Sequence, residues 1–70
     1  MTTETIIKLN GKTTKIDQSS NIVSLTEKLK LKSEQIVIEL NKKIISPHEW
    51  EKIFLKENDE LEVITFVGGG

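Results

Sequence analysis

Few side chains in this sequence could do chemistry. Its single histidine, His48, stands between Ser46 and Glu49, and it has no cysteine. A serine, a histidine and a carboxylate invite comparison with a hydrolytic triad, but Ser46-Pro47-His48-Glu49 also reads as a helix start. Serine sits at the N-cap, proline at the first helical position and glutamate three residues after the serine, the pattern of a capping box that sends both polar side chains to backbone amides. A zinc site would need several carboxylates around one imidazole, while disulfides, thiolate metal sites and cysteine nucleophiles are excluded. No predicted cleft singles out an acid–base pair among the eleven carboxylates, which read as a solvated surface. Lys28, Lys30 and Lys32 lie near the end of a predicted helix, where cations compensate the helix dipole, and they are assigned no anion site. A phosphate-binding glycine loop is absent, because Gly11 falls in a turn and the other three glycines end the sequence.

Those last residues, Gly68-Gly69-Gly70, are the candidate that remains. They follow a strand-like run and precede no helix, so they cap nothing. Without side chains, the stretch from Val67 to Gly70 can extend roughly 13 to 14 Å through a narrow channel of another protein. The carboxylate of Gly70 is then unhindered, and a partner enzyme could turn it into an acyl-adenylate, an activated electrophile. A frayed end or a cloning remnant would leave the same residues, and composition alone does not separate these readings.

Something must present that tail. With 70 residues, 36% of them apolar and 30% charged, the chain makes one small domain whose stability comes from packing alone and whose core is too small for a deep active site. Ten lysines nearly balance the carboxylates for a net charge of −1, which argues against nucleic acid and anionic membranes as partners. The apolar runs are too short to span a bilayer and the first twenty residues lack a signal-peptide core, so a soluble cytoplasmic protein is expected.

Thr5 to Leu9 reads as a strand, Asn10-Gly11 as a tight hairpin turn and Thr13 to Ile16 as the returning strand. Asn21 is placed to cap a helix with Ile22, Leu25 and Leu29 on one stripe. Ile36 to Leu40 alternates as a half-buried strand, and Asn41-Lys42-Lys43 turns the chain into a short extended piece, Ile44-Ile45. A short helix from Pro47 to about Lys52 follows, with Trp50 anchoring the edge of the core. Glu57 to Glu60 forms a turn in which Asn58 can take the left-handed conformation, and Leu61 to Val67 is the last strand. This α+β order suits one sheet with a single main helix laid across it.

Several of these pieces resemble the ThiS family of ubiquitin-like sulfur carriers in order and spacing. They are Leu9-Asn10-Gly11, the helix from Asn21 to Leu29, Leu40-Asn41-Lys42-Lys43-Ile44-Ile45 followed by Trp50, the turn Glu57-Asn58-Asp59 and the ending Phe66-Val67-Gly68-Gly69-Gly70. The resemblance implies a ubiquitin-like β-grasp domain over residues 1–67, with one mixed sheet, and a flexible tail over 68–70. It also implies a protein cosubstrate without catalytic residues of its own. An E1-like adenylating enzyme (ThiF type) would use ATP and magnesium to activate Gly70, with no cofactor bound stably by the carrier. Sulfur from a cysteine desulfurase would give the thiocarboxylate, and thiazole synthase (ThiG type) would use it in thiamin biosynthesis. A molybdopterin-synthase-type carrier and a ubiquitin-like protein modifier are the alternatives. Two positions depart from the family pattern: Asn58 stands where glycine is common, and Gly68 adds a third terminal glycine, so Gly69 or Gly70 could bear the reactive carboxylate.

Alternation also predicts a docking face. With Leu61 and Val63 inward, Ile64 and Phe66 point outward on the strand that launches the tail, and Val37 and Ile6 lie on the outward faces of their own strands. Ile64, Phe66, Val37 and Ile6 are the residues expected to receive the adenylating enzyme and thiazole synthase, unless a loop or the short helix with Trp50 covers them.

Overall fold

The computed structural model describes residues 4–66. Val67, expected to end the last strand, and the tail Gly68-Gly69-Gly70 lie outside the described residues. β1 (Glu4–Leu9) and β2 (Lys12–Asp17) form the expected hairpin, with Leu9 opposite Lys12 across a two-residue turn. Asn10 and Gly11 have φ of 51° and 82°, the left-handed pair that matches the twist of antiparallel strands. Thr5, Ile7 and Ile16 face inward and are buried.

The α-helix, α1 (Ile22–Lys28), starts where Asn21 caps it. The Asn21 Oδ1 accepts from the Ser24 amide at 2.7 Å and the Ser24 Oγ accepts from the Asn21 amide at 3.0 Å, a reciprocal box in which serine takes the place usually held by glutamate. Ile22 and Leu25 are buried as expected, but Leu29 is not part of the buried stripe. The helix ends one residue before it and Lys30 turns left-handed at φ 60°, which leaves Leu29 at the rim.

β3 (Ile36–Leu40), preceded by a 3₁₀ turn at Ser33–Gln35, pairs with β4 (Lys43–Ile45) through a second left-handed turn, Asn41 at φ 52° and Lys42 at 71°. The segment Pro47–Lys52 is a 3₁₀ helix, and its capping box does not form. The Ser46 Oγ lies 3.0 Å from the His48 Nδ1 while the Ser46 carbonyl accepts from the Glu49 amide at 2.9 Å. Three residues per turn bring the amide of the fourth residue to the backbone carbonyl, so no donor is left for the serine side chain. Trp50 is 2% exposed and donates its Nε1–H to the Ile45 carbonyl at 3.0 Å.

β5 (Glu60–Thr65) begins one residue earlier than the alternation suggests and completes a five-stranded sheet in the order β2-β1-β5-β3-β4. It runs parallel to β1 and antiparallel to β3, so the sheet is mixed. The core is Ile7, Ile16, Ile22, Leu25, Ile36, Ile38, Trp50, Leu55 and Leu61, gathered on the face covered by α1. Leu55 belongs to an irregular segment that sequence periodicity left unassigned. Backbone bonds fix it there: the Leu55 amide donates to the Ser20 carbonyl at 2.9 Å and the Ile22 amide to the Ile53 carbonyl at 3.2 Å. No described helix is long and apolar enough to cross a membrane.

Candidate functional site

The sheet has one covered face and one open face. Residues opposite each other on paired strands share a face, so the open side carries Glu4, Ile6 and Lys8 of β1, Glu60, Glu62 and Ile64 of β5, Val37 and Glu39 of β3, and Ile44 of β4. Ile64 is 49% exposed and Phe66, just past the strand end, 48%. Val37 stands directly across from Ile64 and is half-buried. The Phe66 amide donates to the carbonyl of Gln35, the residue just before β3, at 3.0 Å, so the chain stays attached to its neighbour up to the last described residue. Trp50 packs into the core behind the sheet and leaves these side chains uncovered.

Ile6 is also exposed on this face, but the register separates it from the others. Leu9 lies beside Leu61 on parallel strands, and the Asn58 amide donates to the Ile6 carbonyl at 2.8 Å. Ile6 is therefore level with residue 58, about 20 Å along the strand direction from Ile64 at roughly 3.3 Å per residue. Val37, Ile64 and Phe66 form one patch and Ile6 stands apart. Ile44, 69% exposed and opposite Glu39, joins the patch from β4. Its place was readable from the alternation of Lys43-Ile44-Ile45, given the register that sets which face is open.

The strand that launches the tail is held from both sides by the two hairpin turns. The Asn10 Oδ1 accepts from the Val63 amide at 2.8 Å, where β1 has already ended. On the other flank the Asn41 Oδ1 accepts from the Glu60 amide at 2.9 Å and its Nδ2 donates to the Asp59 Oδ1 at 3.1 Å. The Asp59 Oδ2 in turn accepts from the Lys56 amide at 2.8 Å, and Asn58 takes the left-handed conformation at φ 70°, the role glycine plays in the pattern the sequence resembles. Both asparagines are left-handed, so their side chains point back to the strand between the hairpins.

The other candidate groups do not assemble into a reaction centre. His48 and its partner Ser46 lie outside the core, and no three of the described His, Asp and Glu residues are grouped to hold a metal ion. A groove of about 540 Å³ between β2 and α1 is lined by Leu9, Ile16, Leu25 and Leu29 with Lys15 and Lys28 at its rim. Of the hydroxyls that also line it, that of Ser24 is engaged in the cap of α1.

The ThiS family model matches residues 5–70, nearly the whole sequence. The chain belongs to the ThiS family. It is a sulfur carrier in the formation of the thiazole of thiamin and not a catalyst. The sulfur carrier protein ThiS of Bacillus subtilis is 30% identical over 66 residues, covering 93% of this chain and all of that one. The crystal structure of a thiamine biosynthesis protein (ThiS) from Geobacter metallireducens superposes with a TM-score of 0.79 at 29% identity, over 93% of this chain and 99% of that one. A thiazole synthase of Magnetococcus marinus is 31% identical over 64 residues, 91% of this chain but 20% of its own length. The β-grasp fold that the resemblance implied is the fold of the family.

Proposed function

We propose that the carboxylate of Gly70 is the group that takes up sulfur. The exposed patch on the strand leading to the tail carries this reading, because an enzyme that grips Val37, Ile64 and Phe66 holds the sheet at the point from which the tail departs. An E1-like adenylating enzyme of the ThiF type, using ATP and magnesium that the carrier itself does not retain, joins the carboxylate to AMP and releases pyrophosphate. The terminal sulfur of a desulfurase persulfide then displaces AMP, which leaves with one of the carboxylate oxygens, and a thiol reductant cleaves the resulting acyl disulfide to the thiocarboxylate. Gly68 and Gly69 let the tail thread into the partner's active site, since a Cβ at either position would widen it.

The thiocarboxylate goes to thiazole synthase of the ThiG type, and these steps take place in the cytoplasm. The carrier contributes no acid or base and offers instead a rigid handle and a narrow reactive end. Ile6 belongs to the docking face at its far edge, beyond the continuous patch.

The test is the intact mass of the chain after incubation with the adenylating enzyme, ATP, magnesium, a desulfurase with cysteine and a thiol reductant. The expected result is the mass gain for one oxygen exchanged for sulfur, mapped to Gly70. An unchanged mass, with an enzyme active on another carrier, would sink the proposal. A gain mapped to Gly69 of a processed chain would move the reactive carboxylate there.

A further inference from the structure

Glu39 and Glu62 stand directly opposite each other on β3 and β5, both on the open face. Like charges in that position repel and cost the sheet stability. Glu39 is half-buried, with the exposed Ile44 opposite it on β4. Among the described residues no ion pair engages either carboxylate. Glu60 adds a third two residues before Glu62, with Lys8 as its neighbour in the register on β1. The next pair along the ladder on the same face is Val37 and Ile64, about 7 Å away at two residues' rise, with Phe66 beyond it toward the tail. A repelling pair therefore borders the exposed apolar patch.

We propose that the thiazole synthase surface docking here sets an arginine or lysine between Glu39 and Glu62 while its apolar side chains cover Val37, Ile64, Phe66 and Ile44. This rests on the sulfur-carrier reading of the tail. The charge pattern selects the chemistry of the occupant. A purely apolar partner would bury the edge of two uncompensated carboxylates, whereas a cation between them turns the repulsion into two charge-assisted contacts. The synthase is the partner assigned because two thiazole synthases, of Magnetococcus marinus and Paramagnetospirillum magneticum, include a stretch similar to this domain within their own chains. The pair also sets specificity, since an acidic surface would be rejected at the same point.

The test uses Glu39→Gln, Glu62→Gln and the double variant in the full chain, with thiazole synthase purified from the same organism. Two quantities are read: the denaturation midpoint of the carrier and its Kd for the synthase at low and high salt. Removing either carboxylate should leave the midpoint unchanged or raise it, while weakening binding about tenfold, the size of one lost charge-assisted contact. Salt should weaken the wild type more than the double variant. Glutamine variants that bind as tightly as the wild type would overturn the proposal, and so would a lowered midpoint, which would give the pair a structural role. A wild type that takes up sulfur but does not bind the synthase overturns the docking inference alone. One that neither binds nor takes up sulfur overturns the carrier reading with it.

Discussion

Phe66 is half exposed at the junction of sheet and tail, where its ring gains nothing from the core. Phe66→Asp should therefore leave the unfolding midpoint within a few degrees of the wild type. Its affinity for the adenylating enzyme and the synthase should fall at least tenfold, as for a central interface aromatic. Calorimetry and titration of the same preparations separate the two effects, and unchanged affinity would remove this patch from the docking face. Trp50 has the opposite character, buried with its indole N–H bonded to the Ile45 carbonyl. Trp50→Ala should cost about 3 to 5 kcal/mol, close to the whole stability of a domain this small. A chain still cooperatively folded at 37 °C by circular dichroism would contradict that. Ser46 marks the limit of residue-level motifs. Its position signals the start of a helix, but the 3₁₀ geometry that follows decides which acceptor meets the Glu49 amide, and the serine turns to His48 instead.

The two hairpin turns have a second task. Asn10 and Asn41 close their own turns with left-handed backbones and also lend side-chain oxygens to amides of β5. Asn10→Ala loses both contributions, so it should destabilise the domain by about 2 to 3 kcal/mol, with Asn10→Gly, which keeps the backbone conformation, closer to 1 kcal/mol. Urea titrations would show that order, and equal losses would mean that the bond to Val63 counts for little. Asn21→Ala should cost about 1 kcal/mol through the lost cap on α1.

Strands, turns and the helix start were legible because alternation, Asn-Gly and an N-cap asparagine act over a few residues. The end of α1 and the 3₁₀ character of Pro47–Lys52 were not, since their local bonds are ones the residue types leave open, and neither was the seat of Leu55, which depends on a bond to the distant Ser20 carbonyl. The second use of Asn10 has the same cause. Its acceptor role joins residues 53 positions apart, so no local pattern announces it.

For the whole molecule, a carrier needs a fold that survives handling by successive enzymes and a reactive end that does not touch that fold. Deleting Gly69 and Gly70 should leave the denaturation midpoint unchanged and abolish the sulfur mass gain. A truncated chain that still gains sulfur would place the chemistry elsewhere. The amino-acid sequence by itself determined the single small domain, the order of its elements and the glycine ending, because composition, periodicity and turn residues are local properties that no partner strand can alter. It also determined which side chains point away from the core on each strand taken alone. Only the tertiary structure decided that Val37 faces Ile64 with Phe66 beyond it and Ile44 on the neighbouring strand, that Ile6 stands apart and that Glu39 faces Glu62. Neighbourhood across a sheet is set by strand order and register, and inserting β5 between the two hairpins joins residues that the sequence keeps far apart.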